Sequence, residues 1–172
     1  GLGQAPRPNE DGYPAFMNFV AKYASCEKAH QLFYDCVKFI LTRTNRYTKK
    51  KYKDDPAIMS WQIGNEPRAF SKEQLPAFEK WLGEASKLIR SLDKNHLISI
   101  GSEGKWGCEG ELNCWERICA DKNVDYCNIH LWPYNWSWAR KDHLQEDLGI
   151  SCQNTKEYID EHLEVCGRIR KP

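Results

Sequence analysis

Pro56-Ala57-Ile58-Met59-Ser60-Trp61-Gln62-Ile63-Gly64-Asn65-Glu66-Pro67-Arg68 is the stretch that decides the architecture. Asp54-Asp55-Pro56 punctuates the chain, and the apolar run that follows reads, as far as Asn65, as a parallel-type strand covered by helices. A buried strand that ends in Asn-Glu-Pro places one carboxylate at its C-terminal edge. In α/β folds that is where loops gather and ligands bind. Glu66 is therefore the candidate general acid/base. A solvated loop glutamate could close a strand in the same way, since exposed Glu is common. The neighbours favour a site: Asn65 can donate to a ligand hydroxyl, Pro67 stiffens the exit, and Arg68 adds a planar cationic donor.

Working outward, residues 1–14 are rich in Pro, Gly and polar side chains and read as a long loop. From Ser25 to Thr44, Leu32, Phe33, Cys36, Val37, Ile40 and Leu41 recur at helical spacing and define one buried face. Beyond the strand, Ser71 with Gln74 resembles a capping box, although Pro76 allows a later helix start. Either start buries Phe78, Trp81, Leu82, Ala85, Leu88, Ile89 and Leu92. Asp93-Lys94-Asn95 ends that helix before a strand from His96 to Gly101. Leu112–Ala120 reads as a helix, Val124–Leu131 as a third strand, and Asn154–Cys166 as a helix closed by Gly167. Strands alternating with helices imply an α/β fold with a parallel sheet and right-handed crossovers. Three such strands leave both sheet edges open. No internal repeat or low-complexity segment stands out.

The 172 residues fit one domain, and 41% hydrophobic, 28% charged and 12% aromatic content is globular. A net charge of +1 argues against nucleic-acid binding by phosphate neutralisation. Lys49-Lys50-Lys51 reads as a solvated helix end. No apolar run is long enough to span a bilayer, and the opening residues lack the apolar core of a signal peptide. Because the chain opens on Gly1, a processed or excised segment is the expectation, with an upstream signal left open.

Eight cysteines form an even number compatible with disulfides. Cys26 and Cys36 share a helix, where ten residues span about 15 Å, so they should not bond each other. Cys108 and Cys114 bracket a polar loop and are the best local candidates for pairing. No Cys-x-x-Cys or Cys/His cluster has zinc-ligand spacing, so no metal is expected. Of seven tryptophans, Trp106, Trp115, Trp132, Trp136 and Trp138 crowd into one loop-rich third. Aromatic faces stack on sugar rings, so this crowding suggests a ligand surface; Trp61 and Trp81 read as core.

At Trp61–Arg68 and again at His130–Tyr134 the chain resembles the retaining glycoside hydrolases of family 5, and most closely their endo-β-1,4-mannanases. Residues 56–68 resemble the family's fourth barrel strand. Leu97-Ile98-Ser99-Ile100-Gly101-Ser102-Glu103-Gly104 resembles its fifth, and Val124–Trp136 its sixth. The resemblance implies a partial (β/α)8 TIM barrel, with residues 1–172 as its central portion and strands one to three and seven to eight absent. A complete barrel needs about 250 residues. It also implies that the nucleophile, a glutamate on the seventh strand, lies beyond this chain. A retaining mechanism needs two carboxyl groups about 5–5.5 Å apart, and Glu66 can fill only the acid/base role.

By the same resemblance, Asn65 binds the sugar 2-hydroxyl near the scissile bond, and Arg68 binds sugar on the leaving-group side. The arginine after Asn-Glu-Pro is characteristic of mannanase-like members, although a surface ion pair would use the same residue. His130 lines the cleft. The aromatic two positions on, usually a tyrosine that contacts the nucleophile, is here Trp132, whose indole N–H could donate instead. Glu103 resembles a carboxylate that binds substrate hydroxyls, and Trp106 and Trp136 are candidate stacking platforms, with loop packing as the plain alternative.

The expectation is therefore a secreted, cofactor-free endo-β-1,4-mannanase that cleaves internal bonds of mannan, glucomannan or galactomannan. A family 5 β-glucanase or cellulase is the near rival. A non-catalytic carbohydrate-binding remnant is the distant one. The 172-residue chain by itself should self-associate through open strand edges.

Overall fold

A computed structural model describes residues 4–172. Two parallel strands, β1 (Ser60–Gln62) and β2 (Leu97–Ser99), pair in the register Ser60 with Leu97, Trp61 with Ile98 and Gln62 with Ser99. Their pairing continues past the regular ladder, where the amides of Ile63 and Gly64 donate to Ser99 and Ile100 carbonyls at 3.1 and 3.3 Å. Ile63, Ile98 and Ile100 are buried, whereas Met59 and Leu97 face outward.

Helix α4 (Leu75–Leu92) crosses from β1 to β2. It starts at the later of the two expected positions, with Pro76 in its first turn, and the Ser71 hydroxyl caps nothing there. Its stripe of Phe78, Trp81, Leu82, Ala85 and Ile89 is buried, each such side chain larger than alanine contributing about 1.5–3 kcal/mol. Trp81 is the hub of an aromatic nest with Tyr23, His30 and Phe33 at ring distances of 5.0, 5.8 and 5.4 Å.

Helix α3 (Glu27–Thr42) supplies part of that nest, but its inward stripe is His30, Val37 and Leu41. The expected face is too wide: Leu32 is 66% exposed, and Cys36 and Ile40 are also exposed. Its main helical partner is α4, so only a narrow stripe is covered.

Three further expectations are corrected. The leading loop contains α1 (Pro8–Asp11) and α2 (Tyr13–Ala21), each with a proline in its first turn, where the missing N–H costs nothing. Residues 1–3 of that expected loop lie outside the described residues. The last helix, α6, runs from Leu144 to Ile169 and carries Gly167 inside it, ending on Arg170 at φ 55°. Its early start is fixed by Arg140, whose amide and guanidinium both bond the buried Asp147 at 2.7 Å. Asp147 and Glu146 in the first turn also complement the helix dipole.

The third expected strand is an extended segment without a regular ladder. Side chains replace the carbonyls that a third parallel strand would offer. Ile98 N–H donates to Asp125 Oδ2 at 2.7 Å, and Gly101 N–H to Asn128 Oδ1 at 2.9 Å. Asp125 N–H answers to the Ile98 carbonyl at 2.8 Å, so the segment still runs beside β2. Helix α5 (Leu112–Ala120) lies as the sequence predicts and buries Cys114, Trp115, Ile118 and Cys119.

The eight cysteines are thiols, with Cys108 and Cys114 side by side. Their mutual hydrogen bond, with burial second, pushes the Cys108 thiol up. No helix among the described residues is long and apolar enough to cross a membrane.

Candidate active site

The loops that leave β1 and β2 are stapled together. Glu66 N–H donates to the Gly101 carbonyl at 2.8 Å, and Ala69 N–H to that of Gly107 at 3.2 Å. Gly101 has φ +78°, and a Cβ there would sit 1.9 Å from the Gly64 carbonyl oxygen, so only glycine allows the approach. Glu66, Phe70 and Glu109 all hold left-handed backbones, at φ 50°, 58° and 53°. Non-glycine residues rarely accept this conformation, and such strain concentrates at functional sites.

Glu66 receives two hydrogen bonds on one oxygen. His130 Nδ1 lies 2.7 Å from Oε1, and Trp132 Nε1 donates to the same atom at 2.6 Å. A carboxylate only accepts, so His130 carries its proton on Nδ1 here. Burial pushes the Glu66 pKa up and is the largest single influence. The hydrogen bonds from His130 and Trp132, with the charges of His130 and Arg68, outweigh it, and the carboxyl sits below the ordinary glutamate value. The Trp132 indole, expected to face a nucleophile, is thus spent on Glu66.

Glu103 behaves oppositely. It is 6% exposed, and burial, partly offset by Arg68 and reinforced by Glu66, raises its pKa. Arg68 Nη1 lies 3.8 Å from Glu103 Oε2, and its Nε donates to Glu109 Oε1 at 3.3 Å. Two carboxyls facing one cleft, one pushed down and one up, can hold different protonation states at the same pH.

The Glu103 loop is locked from behind by α6. Tyr158 donates its hydroxyl to the Glu103 carbonyl at 2.7 Å, and Lys105 N–H donates to His162 Nε2 at 2.9 Å. His162 Nδ1, 2.6 Å from the Tyr158 carbonyl, must then be the protonated nitrogen. Gly104 makes the lock possible, because a Cβ there would fall 2.5 Å from the Tyr158 hydroxyl and 2.6 Å from His162 Nε2.

A cleft of about 570 Å3 opens in front of these groups, and of the candidate residues Glu66, Arg68, Glu103, Trp132 and Trp136 line it. His130, expected to line the cleft, is not among its lining residues and reaches it only through its hydrogen bond to Glu66. Trp106 packs on Trp136 at 6.0 Å, and Trp136 on Trp138 and Tyr158 at 4.9 and 5.1 Å, so Trp106 acts as backing for the wall. Asn65 is exposed and its side chain makes no hydrogen bond among the described residues.

Tyr13, Phe70 and Asn135 also line the cleft and were missed from sequence. Tyr13 fell in the stretch read as loop, and Phe70 follows the motif that drew attention. Arg68 stands 5.8 Å over the Phe70 ring, a contact that sequence spacing does not reveal. A second groove, about 620 Å3, runs between α4 and α5, but its polar groups are already engaged: Glu79 pairs with Arg117, and Asp121 with Asn123. Among the described residues no three His, Cys, Asp or Glu side chains converge as metal ligands.

Comparison with known proteins identifies relatives of the chain. The profile of the family described as GH family 5 beta-mannosidase-like matches residues 4–172. A tomato (Solanum lycopersicum) protein named mannan endo-1,4-beta-mannosidase 4 is 32% identical over 145 residues, covering 79% of this chain and 35% of its own length. A rice (Oryza sativa subsp. japonica) mannan endo-1,4-beta-mannosidase 2 is 33% identical over 153 residues, covering 79% of this chain and 33% of its own. The crystal structure of the family 5 mannosidase from Rhizomucor miehei superposes with a TM-score of 0.83 at 28% identity, covering 99% of this chain and 39% of that one. The endo-beta-1,4-mannanase from Thermotoga petrophila, at 24% identity and TM-score 0.70 over 93% of this chain and 38% of that one, shares the fold. The chain spans about a third of the length of the curated relatives it matches.

Proposed function

The chain belongs to glycoside hydrolase family 5, among its β-mannosidase-like members, and on that premise we propose that it carries the acid/base half of an endo-β-1,4-mannanase active site. In this reading β1, β2 and the extended 124–131 segment are strands four to six of a (β/α)8 barrel. The other strands, and the nucleophilic carboxylate, come from outside residues 1–172.

The observation that carries the reading is the environment of Glu66. It sits at the C-terminal end of β1 on a strained backbone, faces the cleft, and has its carboxyl oriented by His130 and Trp132. In a retaining reaction a nucleophile attacks the anomeric carbon while Glu66 protonates the leaving oxygen. Glu66 then takes a proton from the water that releases the sugar. The carboxyl must be protonated for the first step, and a carboxylate placed close by would raise its pKa from the low value that His130 and Trp132 enforce. Glu103 is not assigned as the nucleophile, because its carboxyl is buried on the neighbouring β2 loop with Arg68 Nη1 3.8 Å from its Oε2. Glu103 can instead hydrogen-bond substrate hydroxyls, with Arg68 beside it on the leaving-group side and Trp132 and Trp136 offering faces for sugar rings. Asn65, exposed beside Glu66, is free to reach the 2-hydroxyl. No cofactor enters this chemistry.

The substrate follows from Arg68 and from the relatives' activity: mannan, glucomannan or galactomannan. A polymer of this kind is met outside the cell, which supports secretion. The test uses the protein as its source organism produces it, comparing mannan with cellulose and mixed-linkage glucan and following the anomer first released. Faster mannan turnover with retention is expected. Faster turnover on either glucan would favour a β-glucanase, and binding of mannohexaose without hydrolysis would favour a carbohydrate-binding remnant.

A further inference from the structure

We propose that Glu109 is a positioning residue that sets the guanidinium of Arg68 in the cleft; the inference rests on the glycosidase reading of that cleft. Glu109 Oε1 accepts two hydrogen bonds, from Arg68 Nε at 3.3 Å and from the Phe70 amide at 3.0 Å. Both donors follow Glu66 on the β1 loop, whereas Glu109 belongs to the β2 loop. One carboxylate oxygen therefore ties the loop that carries Glu66 to the loop that carries Glu103.

The two bonds fix different things. The amide bond holds the left-handed Phe70, whose ring lies 5.8 Å under the Arg68 guanidinium carbon. The Nε bond occupies the inner edge of the guanidinium, so that its Nη end faces Glu103 Oε2 at 3.8 Å and the cleft. A planar fork with one edge anchored can present the other in a single orientation, which a free arginine would have to be ordered to reach. Glu109 is itself at φ 53°, a conformation set by the neighbouring bond from Gly110 N–H to the Lys105 carbonyl at 2.9 Å. Its side chain is only 16% exposed.

The test is a double-mutant cycle on hydrolysis of mannohexaose by the full protein. Glu109→Ala should lower kcat/KM about tenfold, chiefly through KM. Glu109→Gln, which keeps an accepting oxygen, should recover most of the loss. In the Arg68→Ala background Glu109→Ala should cost several-fold less than in the wild type, because most of its effect passes through the arginine and only the Phe70 amide bond is then left to lose. Additive losses, or a Glu109→Ala enzyme with wild-type KM, would overturn the proposal. A wild type without hydrolytic activity would defeat the glycosidase reading instead. The positioning is then judged by the Arg68 Nε–H resonance, expected to be slow in exchange in the wild type and fast in Glu109→Ala; equal exchange rates would reject it.

Discussion

Trp132 donates its indole N–H to Glu66 Oε1 over 2.6 Å. The bond stabilises the ionised carboxyl, and so favours the base over the acid. It also holds the cleft wall against the Glu66 carboxyl, since Trp132 lies beside Trp136 along the same opening.

Removing that bond should shift the pH profile. A general acid works while protonated, so the alkaline limb of kcat/KM reports its pKa. In Trp132→Phe the Glu66 pKa loses one of the hydrogen bonds that lower it and rises. The alkaline limb should then move to higher pH. An unmoved or lowered limb would contradict the assignment of Glu66 as the acid.

Gly101→Ala should cost at least about 3 kcal/mol, because its Cβ would meet a carbonyl oxygen at a left-handed backbone position. Urea denaturation measures it. Loss of the Glu66 amide bond to the Gly101 carbonyl should lower activity as well, whereas a variant with unchanged midpoint and slope would mean that the two loops are not held so closely.

The turn before β2 gives a stability prediction of defined sign. Buried Asp93 accepts from Trp61 Nε1 and the His96 ring, each at 2.6 Å, and from the amides of Asn95 and His96. Burial raises its pKa, but these bonds prevail and lower it. Burial lowers that of His96, but its bonds to Asp93 and the Asp55 carbonyl prevail and raise it. The depressed Asp93 contributes stability that is present above about pH 3.9 and is lost as pH falls through its folded value. The raised His96 contributes stability that is full below about pH 6.5 and is lost as pH climbs through its folded value. Thermal melts should peak between those two pH values. His96→Asn should lose the alkaline decline, and a variant that keeps it would place its origin elsewhere.

Much of this was legible in sequence where local pattern and tertiary need agree. Helix α5 and the buried stripe of α4 follow from apolar spacing, Glu66 and Arg68 from the end of a strand, and Trp132 and Trp136 from the crowding of loop aromatics, whereas Glu103 came only from the family resemblance. The third strand was not legible as it stands, because apolar alternation cannot tell that Asp125 and Asn128 substitute their side chains for ladder carbonyls. The start of α6 was missed for a similar reason: Arg140 and Asp147 pair across a turn with no apolar signal. Glu109 carries no sequence mark beyond a following glycine, and its importance is visible only once the two loops are seen to meet.

The most direct measurement is mannan hydrolysis by Glu66→Gln in the protein as its source produces it, run beside a dinitrophenyl mannoside whose leaving group needs little protonation. A fall of about 10²–10⁴-fold on mannan is expected, with the first step on the activated mannoside largely spared. Undiminished cleavage of mannan by Glu66→Gln would remove Glu66 from the reaction and with it the proposed site.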